Sequence, residues 1–341
     1  MSASYRHINN SERTESIESQ LEMFALDVLM GLSEPNKKLP SRYFYDDRGS
    51  RLFQEITKLP EYYLTGCEFD VLAKHHKEFI NLVNGRVFNL VELGPGDGRK
   101  TRVLLQSLIN NGSKFRYIPI DISEGAMRDL TESLDKKFPG LATEGLIAEY
   151  FQGLKWLQAN NYSPAVVLFL GSNLGNFNKI QARQFLRHMW NTLSDGDYVI
   201  IGFDLKKDIN TMLDAYNDAK GLTEKFNLNL LKRINQELGG NFDLKKFCHY
   251  ASYNVFTGAM ESYLVSQEKQ EVFINKIGCS FTFDAWEPIH TEYSYKYLIS
   301  DIEELAAVTG FTLVKHLYDS KKYFVDSIWR VLKVDSDQTS E

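Results

Sequence analysis

Val87-Phe-Asn-Leu-Val-Glu-Leu-Gly-Pro-Gly-Asp-Gly98 joins an apolar run to an acid and three alternating glycines, and Arg99-Lys-Thr-Arg-Val-Leu-Leu105 then begins a helical pattern. A strand that runs into such a turn and out into a helix is the opening unit of a nucleotide-binding α/β sheet. Glycine at Gly94, Gly96 and Gly98 reverses the chain tightly and offers no Cβ to obstruct a ligand lying across the strand end. The spacing separates ligand types. A dinucleotide turn reads G-x-G-x-x-G and seats a pyrophosphate on the helix N-terminus, whereas here the third glycine comes one residue early and the sixth position is Arg99. E-x-G-x-G-x-G suits a nucleoside ligand without phosphates.

Working outward, Phe115-Arg-Tyr-Ile-Pro-Ile-Asp121 reads as a second strand ending in an acid, placed where a carboxylate accepts both ribose hydroxyls. Asp121 is therefore the expected ribose ligand. It also precedes Ser123 and Glu124 as a helix N-cap would, and the two roles are compatible. S-adenosylmethionine (SAM) is the commonest phosphate-free ligand of such a sheet, so SAM is the expected cofactor, leaving as S-adenosylhomocysteine.

The alternation continues on both sides of these strands. A helix is expected over 68–83, then strand 87–93, helix 99–110, strand 115–121, helix 124–136, a strand near 144–148, strand 165–170, helix 179–193 and strand 197–203. Continuous apolar strands such as Ala165-Val-Val-Leu-Phe-Leu170 are buried on both faces, which implies a parallel sheet covered by helices, an α/β fold. The pattern then breaks. Residues 208–237 read as helical and 250–290 as antiparallel strands with period-two alternation, an inserted α+β unit. A helix over 302–309 and a hairpin of 312–317 with 323–332 return to the sheet, as in most class I methyltransferases. The expected division is a substrate-binding domain of 15–65 and 205–298, a SAM-binding Rossmann-like domain of 66–204 and 299–334, and loose ends at 1–14 and 335–341.

Composition narrows the class. The chain has 341 residues, is 43% hydrophobic and 25% charged, and carries a net charge of -6, which argues against a general nucleic-acid binder needing a basic face. Cys67, Cys248 and Cys279 are odd in number and widely spaced, suiting reduced thiols in a cytoplasmic protein better than a disulfide frame or a zinc site. No apolar run approaches a membrane span, and the first residues lack a signal-peptide core. The expected partner is a small molecule, with no nucleic acid, no membrane and no metal, and a monomer is favoured.

In an open α/β sheet the ligand crevice lies beyond the carboxyl ends of the strands. Those ends carry the glycines with Lys100, then Asp121, then Glu149-Tyr150, then Gly171-Ser-Asn-Leu-Gly-Asn176. Glu149 is placed to accept from an adenine amino group and Tyr150 to cover the ring, although Tyr150 serves equally as core packing. Asn176 offers a donor and an acceptor to an amino-acid headgroup, or simply forms the turn after Gly175.

Across residues 20–332 the chain resembles the histidine Nα-methyltransferases of ergothioneine biosynthesis, which form hercynine by trimethylating the α-amine of histidine. The resemblance is carried by Leu39-Pro-Ser-Arg-Tyr-Phe-Tyr-Asp-Asp-Arg-Gly-Ser50, by Leu59-Pro-Glu-Tyr-Tyr-Leu-Thr65 and by His290-Thr-Glu-Tyr-Ser294. It implies that Gly94, Lys100, Asp121, Glu149 and Tyr150 hold the donor, that Tyr62 contacts substrate and that Tyr45 lies near the reacting amine. It further implies that Asn176 and Tyr216 grip the carboxylate and that Glu292 and Ser294 hydrogen-bond the imidazole. Three positions depart from the family: its usual Asp-Phe is Glu149-Tyr150, and its pocket methionine falls on Ser262, or near Met260 if the alignment slips. A carboxylate and a hydroxyl satisfy both nitrogens of an imidazole, whereas an indole brings a single N–H and matches only one of the two groups. The rivals are methylation of another aromatic amino acid or derivative, and a catalytically silent nucleotide-binding module.

Overall fold

The structure is a computed structural model that describes residues 4–8, 13–83, 85–160 and 164–333. In chain order it has strand β1 (Ser4–His7) and helices α1 (Arg13–Ser33), α2 (Asp47–Ile56) and α3 (Tyr63–Val83). Strands and helices then alternate as β2 (Phe88–Leu93), α4 (Thr101–Asn110), β3 (Phe115–Asp121), α5 (Glu124–Lys137), β4 (Glu144–Ile147), α6 (Tyr150–Ala159), β5 (Ala165–Phe169), α7 (Lys179–Thr192) and β6 (Tyr198–Asp204). Helices α8 (Ile209–Asp214) and α9 (Leu222–Leu238) lead into β7 (Phe247–Asn254), β8 (Ala259–Ser266), β9 (Gln270–Ile274), β10 (Cys279–Phe283) and β11 (Pro288–Tyr295). Helix α10 (Ile299–Thr309), β12 (Phe311–Tyr318) and β13 (Phe324–Val331) are the last elements among the described residues. It divides into two compact units, the first of Met1–Ile8, Leu64–Lys206 and Lys296–Glu341, the second of Asn9–Tyr63 and Lys207–Tyr295.

The first unit is an eight-stranded sheet in the order β1-β4-β3-β2-β5-β6-β13-β12, in which β1 to β6 run parallel and β13 is antiparallel to both β6 and β12. Strand order reverses at β2 and β5, so the crevice of a doubly wound sheet falls beyond their ends. Neighbouring residues of a strand feed opposite layers. Leu90, Tyr117, Leu168 and Ile200 pack under α3, α4 and α5, against Val71, Leu72, Leu105 and Leu130. Val91, Ile118, Val167 and Ile201 pack under α6, α7 and α10, against Leu154, Phe185, Met189 and Ile302. Burial on both faces explains why these strands are unbroken apolar runs.

Two features depart from the sequence reading. Ser4–His7, expected within a loose end, forms an edge strand parallel to β4. Ser-Tyr-Arg-His has no apolar pattern because all four residues are exposed, and it is held by backbone pairing and by the Arg6–Glu144 ion pair. The expected helix over 208–237 is broken at Ala215–Gly221, where Asp218 accepts from the backbone N–H of Leu222 and Thr223 and starts α9 afresh. The expected loose end at 335–341 lies outside the described residues.

The second unit places α1, α2 and α9 with a three-stranded sheet (β11-β8-β7) and a two-stranded one (β10-β9). Its core joins Phe24, Val28, Phe44 and Ile56 to Phe226, Leu230 and Ile234 of α9, and to Phe247, Leu264, Phe283 and Ile289 of the strands.

Candidate active site

In the first unit the three glycines all have left-handed backbones, with φ of 67°, 57° and 64° at Gly94, Gly96 and Gly98, a region that L side chains rarely adopt. Their surroundings differ. A Cβ on Gly94 would stand 2.6 Å from the Tyr150 hydroxyl, and one on Gly98 would collide with Leu130 of α5. A Cβ on Gly96 would meet nothing within 4 Å, so the middle glycine is the one whose face is open for a ligand.

Asp121 ends β3 beside this turn. Its carboxylate accepts from the backbone N–H of Ser123 at 2.9 Å and also draws on those of Ile122 and Gly96. Burial pushes its pKa up to about 6 against the lowering effect of those three N–H groups. The helix that follows is capped by Ser123, which accepts from Ala126, so Asp121 is not the cap.

Glu149 and Tyr150 stand at the start of α6, a helix that periodicity did not reveal. The Tyr150 ring meets Phe169 and Phe185 edge-on, so it is core packing on one side while its hydroxyl reaches the glycine turn. Gly171 and Ser172 after β5 are both left-handed, and the single 3-10 turn Asn173–Asn176 follows. The Asn173 amide lies 3.3 Å from the Cβ positions of both Gly94 and Gly171, bridging the two strand ends; Asn176 is the last residue of this turn and half-buried.

Beneath these loops is a buried charged cluster that the sequence reading missed. Lys100 Nζ donates to Glu68 of α3, whose other oxygen accepts from the Gly171 N–H at 2.7 Å. Glu92, the acid that opens the glycine turn, accepts from Thr101 Oγ1 at 2.5 Å and from the Tyr117 hydroxyl, so it clamps α4 and β3 to β2. Asp326 of β13 is fully buried, and among the described residues neither of its oxygens has a hydrogen-bond partner. Burial pulls the Lys100 pKa down, but Glu68, Glu92 and Asp326 more than offset it and leave it raised. Glu68 was legible in one respect: it shares a helical stripe with Leu64, Val71 and Leu72, an acid on an apolar face.

In the second unit the acceptor candidates come from distant segments. Tyr45 follows the 3-10 turn Ser41–Phe44, and its ring lies 5.6 Å from Phe226 and 5.7 Å from Phe53, which in turn meets Tyr62 edge-on at 6.0 Å. Glu292 and Ser294 are two apart on β11 and so share a face. Directly opposite them on β8 are Ser262 and Met260 respectively, so the register sets the small serine beside Glu292 and the methionine beside Ser294. Tyr216, in the break between α8 and α9, donates its hydroxyl to Ser294 Oγ at 2.6 Å, and His249 of β7 holds the Tyr216 carbonyl at 2.9 Å. Tyr216 is therefore engaged with one of the residues expected at the imidazole. Gly94, Gly96, Lys100, Asp121, Glu149, Tyr150 and Asn176 belong to the first unit, and Tyr45, Tyr62, Tyr216, Glu292 and Ser294 to the second.

The strand order closing on an antiparallel β13, with a phosphate-free glycine turn tied to Asp121 by the Gly96 N–H, defines a class I SAM-dependent methyltransferase. Residues 24–331 match the histidine-specific SAM-dependent methyltransferases, and the chain belongs to that family. It is 35% identical over 293 residues to the histidine N-alpha-methyltransferase of Mycolicibacterium smegmatis, covering 86% of this chain and 90% of that one. Identity to the Mycobacterium tuberculosis protein of the same name is 34% over 289 residues, covering 85% and 89%. A more distant relative, 26% identical over 320 residues and covering 85% and 87%, is the L-tryptophan methyltransferase of Psilocybe serbica. Among the described residues no cluster of His, Cys, Asp and Glu is arranged to hold a metal ion, and no helix is long and apolar enough to cross a membrane.

Proposed function

We propose that this chain methylates the α-amino nitrogen of L-histidine, up to the trimethylated product hercynine, as a cytoplasmic enzyme. The observation that carries the reading is the shared face of β11, where Glu292 and Ser294 stand side by side and Ser294 is engaged by Tyr216. A carboxylate that accepts and a hydroxyl that can donate match the N–H and the bare nitrogen of a neutral imidazole. A phenyl ring would satisfy neither and leave both groups without a ligand partner.

The donor fits the first unit through the open face of Gly96, the Asp121 carboxylate for ribose hydroxyls, and Glu149 and Tyr150 for adenine. When bound, SAM supplies an electrophilic methyl carbon to the lone pair of the acceptor nitrogen. The chain's own contribution is positioning, worth roughly 7–11 kcal/mol of barrier when the reacting atoms are held in line. As the resemblance implies, Asn176 and Tyr216 serve the amino-acid carboxylate and Tyr62 contacts the substrate, and Tyr45 accepts or relays the proton that the ammonium must lose before it can attack. Because the imidazole end is held by Glu292 and Ser294, the amine is left free to turn between successive transfers.

Incubating the protein with SAM and each of the twenty amino acids, with mass spectrometry of the products, tests the proposal. Gains of one to three methyl groups on histidine alone are expected. Turnover of tryptophan or tyrosine with histidine left untouched would overturn it.

A second reading, a larger aromatic acceptor, draws on the small Ser262 beside Glu292 and on the tryptophan-methylating relative. Glu292→Ala tests the first reading directly: histidine turnover is expected to fall, and turnover left intact would remove the imidazole-binding role of Glu292.

A further inference from the structure

We propose that Asp326 is a positioning residue for the methyl donor: it carries a proton in the folded protein, and in that neutral form it leaves Lys100 facing the donor's carboxylate. The geometry is that of a cluster with one cation and too many acids. Lys100 is paired with Glu68, and its side chain remains 23% exposed while that of Glu68 is 1% exposed. Lys100 Nζ stands 3.3 Å from the Cβ position of Gly171, at the strand ends where the sheet order reverses. Its open side is therefore toward the ligand crevice, and its closed side toward the acids.

Asp326 approaches from below. It pairs with Gly202 across the β13–β6 ladder, and a Cβ on Gly202 would collide with Glu68 Oε1, so the glycine leaves room for the Glu68 carboxylate next to Asp326. On the other side its neighbour is Leu317 of β12, which cannot titrate. The charged groups acting on Asp326 are Glu68 from α3 and Lys100 from the head of α4, and Glu92 of β2 also acts on Lys100.

An ionised carboxylate with no donor on either oxygen is costly in a dry interior, and a second carboxylate beside it adds to the cost. Burial first, and then Glu68, push the Asp326 carboxyl well above its ordinary range, while Lys100 opposes them. With Asp326 neutral, the single Glu68 charge balances Lys100 and the ammonium keeps its outward reach. Once Asp326 ionises, Lys100 is drawn between two carboxylates and withdraws from the donor. Asp326 does not touch the donor; it acts through Lys100.

The inference rests on the reading of Lys100 as a donor ligand, and the test keeps the two apart. S-adenosylhomocysteine is titrated calorimetrically into the whole chain, without acceptor, from mildly acidic to alkaline pH. For the unmodified protein, affinity is expected to fall on the alkaline side by up to about one decade per pH unit beyond what the ligand's own amine accounts for. Asp326→Asn and Asp326→Leu, neither of which can ionise, are expected to bind as tightly at neutral pH and to lose that extra slope. An unchanged slope in either variant would overturn the proposal. Lys100→Met is the separating control: wild-type affinity in that variant would remove the role of Lys100 itself, whereas weakened binding there, with the slope intact in the Asp326 variants, removes only the present inference. Independently of any variant, infrared spectra of protein carrying labelled aspartate carboxyls should show a protonated aspartic acid at neutral pH, and its absence would refute the assignment.

Discussion

The residues proposed for the donor and those proposed for the acceptor are built by different means. In the first unit the chemistry sits on strand ends and is largely a matter of backbone: three left-handed glycines, the N–H groups that meet Asp121, and the Gly171 N–H on Glu68. In the second it rests on side chains projected from one sheet face and from a break between helices, with Glu292, Ser294 and Tyr216 gathered from segments some eighty residues apart in sequence (Tyr216 to Ser294 spans 78). Backbone architecture accepts one ligand type and tolerates few substitutions. A side-chain face can change its ligand by single replacements, which fits a family whose relatives include both histidine and tryptophan methyltransferases.

The largest effect should come from forcing a side chain into the backbone site. Gly94→Ala meets both a left-handed φ, costing about 1–2 kcal/mol, and the Tyr150 hydroxyl, and should weaken SAM binding by about 100-fold or more in a calorimetric titration. Gly96→Ala carries the same backbone strain without the clash, so its folding penalty should be the smaller of the two in a thermal melt. If Gly94→Ala bound SAM normally, the contrast between the units would lose its basis. In the second unit Glu292→Ala should lower kcat/KM for histidine by about 10- to 100-fold, the range for removing one partner of a buried polar contact, while leaving SAM affinity intact. A matching loss of SAM binding would show that Glu292 is not confined to the acceptor.

The same contrast explains what could be read from sequence. The parallel sheet, its antiparallel last strand and the glycine turn were legible because each is written in contiguous residues: apolar runs for strands buried on both faces, and glycines at fixed spacing for the turn. β1 was not legible, since an exposed edge strand held by backbone pairing leaves no apolar signature. Neither was the interruption of the helix at Ala215–Gly221, which depends on the Asp218 carboxylate capping a new helix. In the site, Asp121 stood out as an acid closing an apolar strand. Asn173 and Asp326 did not, because their neighbours across the sheet come from distant parts of the chain. The placing of Ser262 beside Glu292 required the strand register, which no local pattern fixes.

The smallest expected effect tests the electrostatics of the backbone site. With its pKa held at about 6 by burial, Asp121 is largely ionised at neutral pH and takes up its proton as pH falls through that value. An ionised carboxylate accepts from both ribose hydroxyls and a protonated one is a poorer acceptor, so SAM affinity should weaken several-fold between pH 7 and pH 5. Asp121→Asn should bind more weakly at pH 7 and show little of this dependence. Folding stability moves the other way. A folded-state pKa raised above the ordinary aspartate value means the stabilising contribution is complete below that ordinary value and is lost as pH rises toward and through 6. Asp121→Asn should therefore melt higher than the unmodified protein at pH 7 while binding SAM less well. A variant that both melted lower and kept the acid-side loss of affinity would remove Asp121 from the donor site.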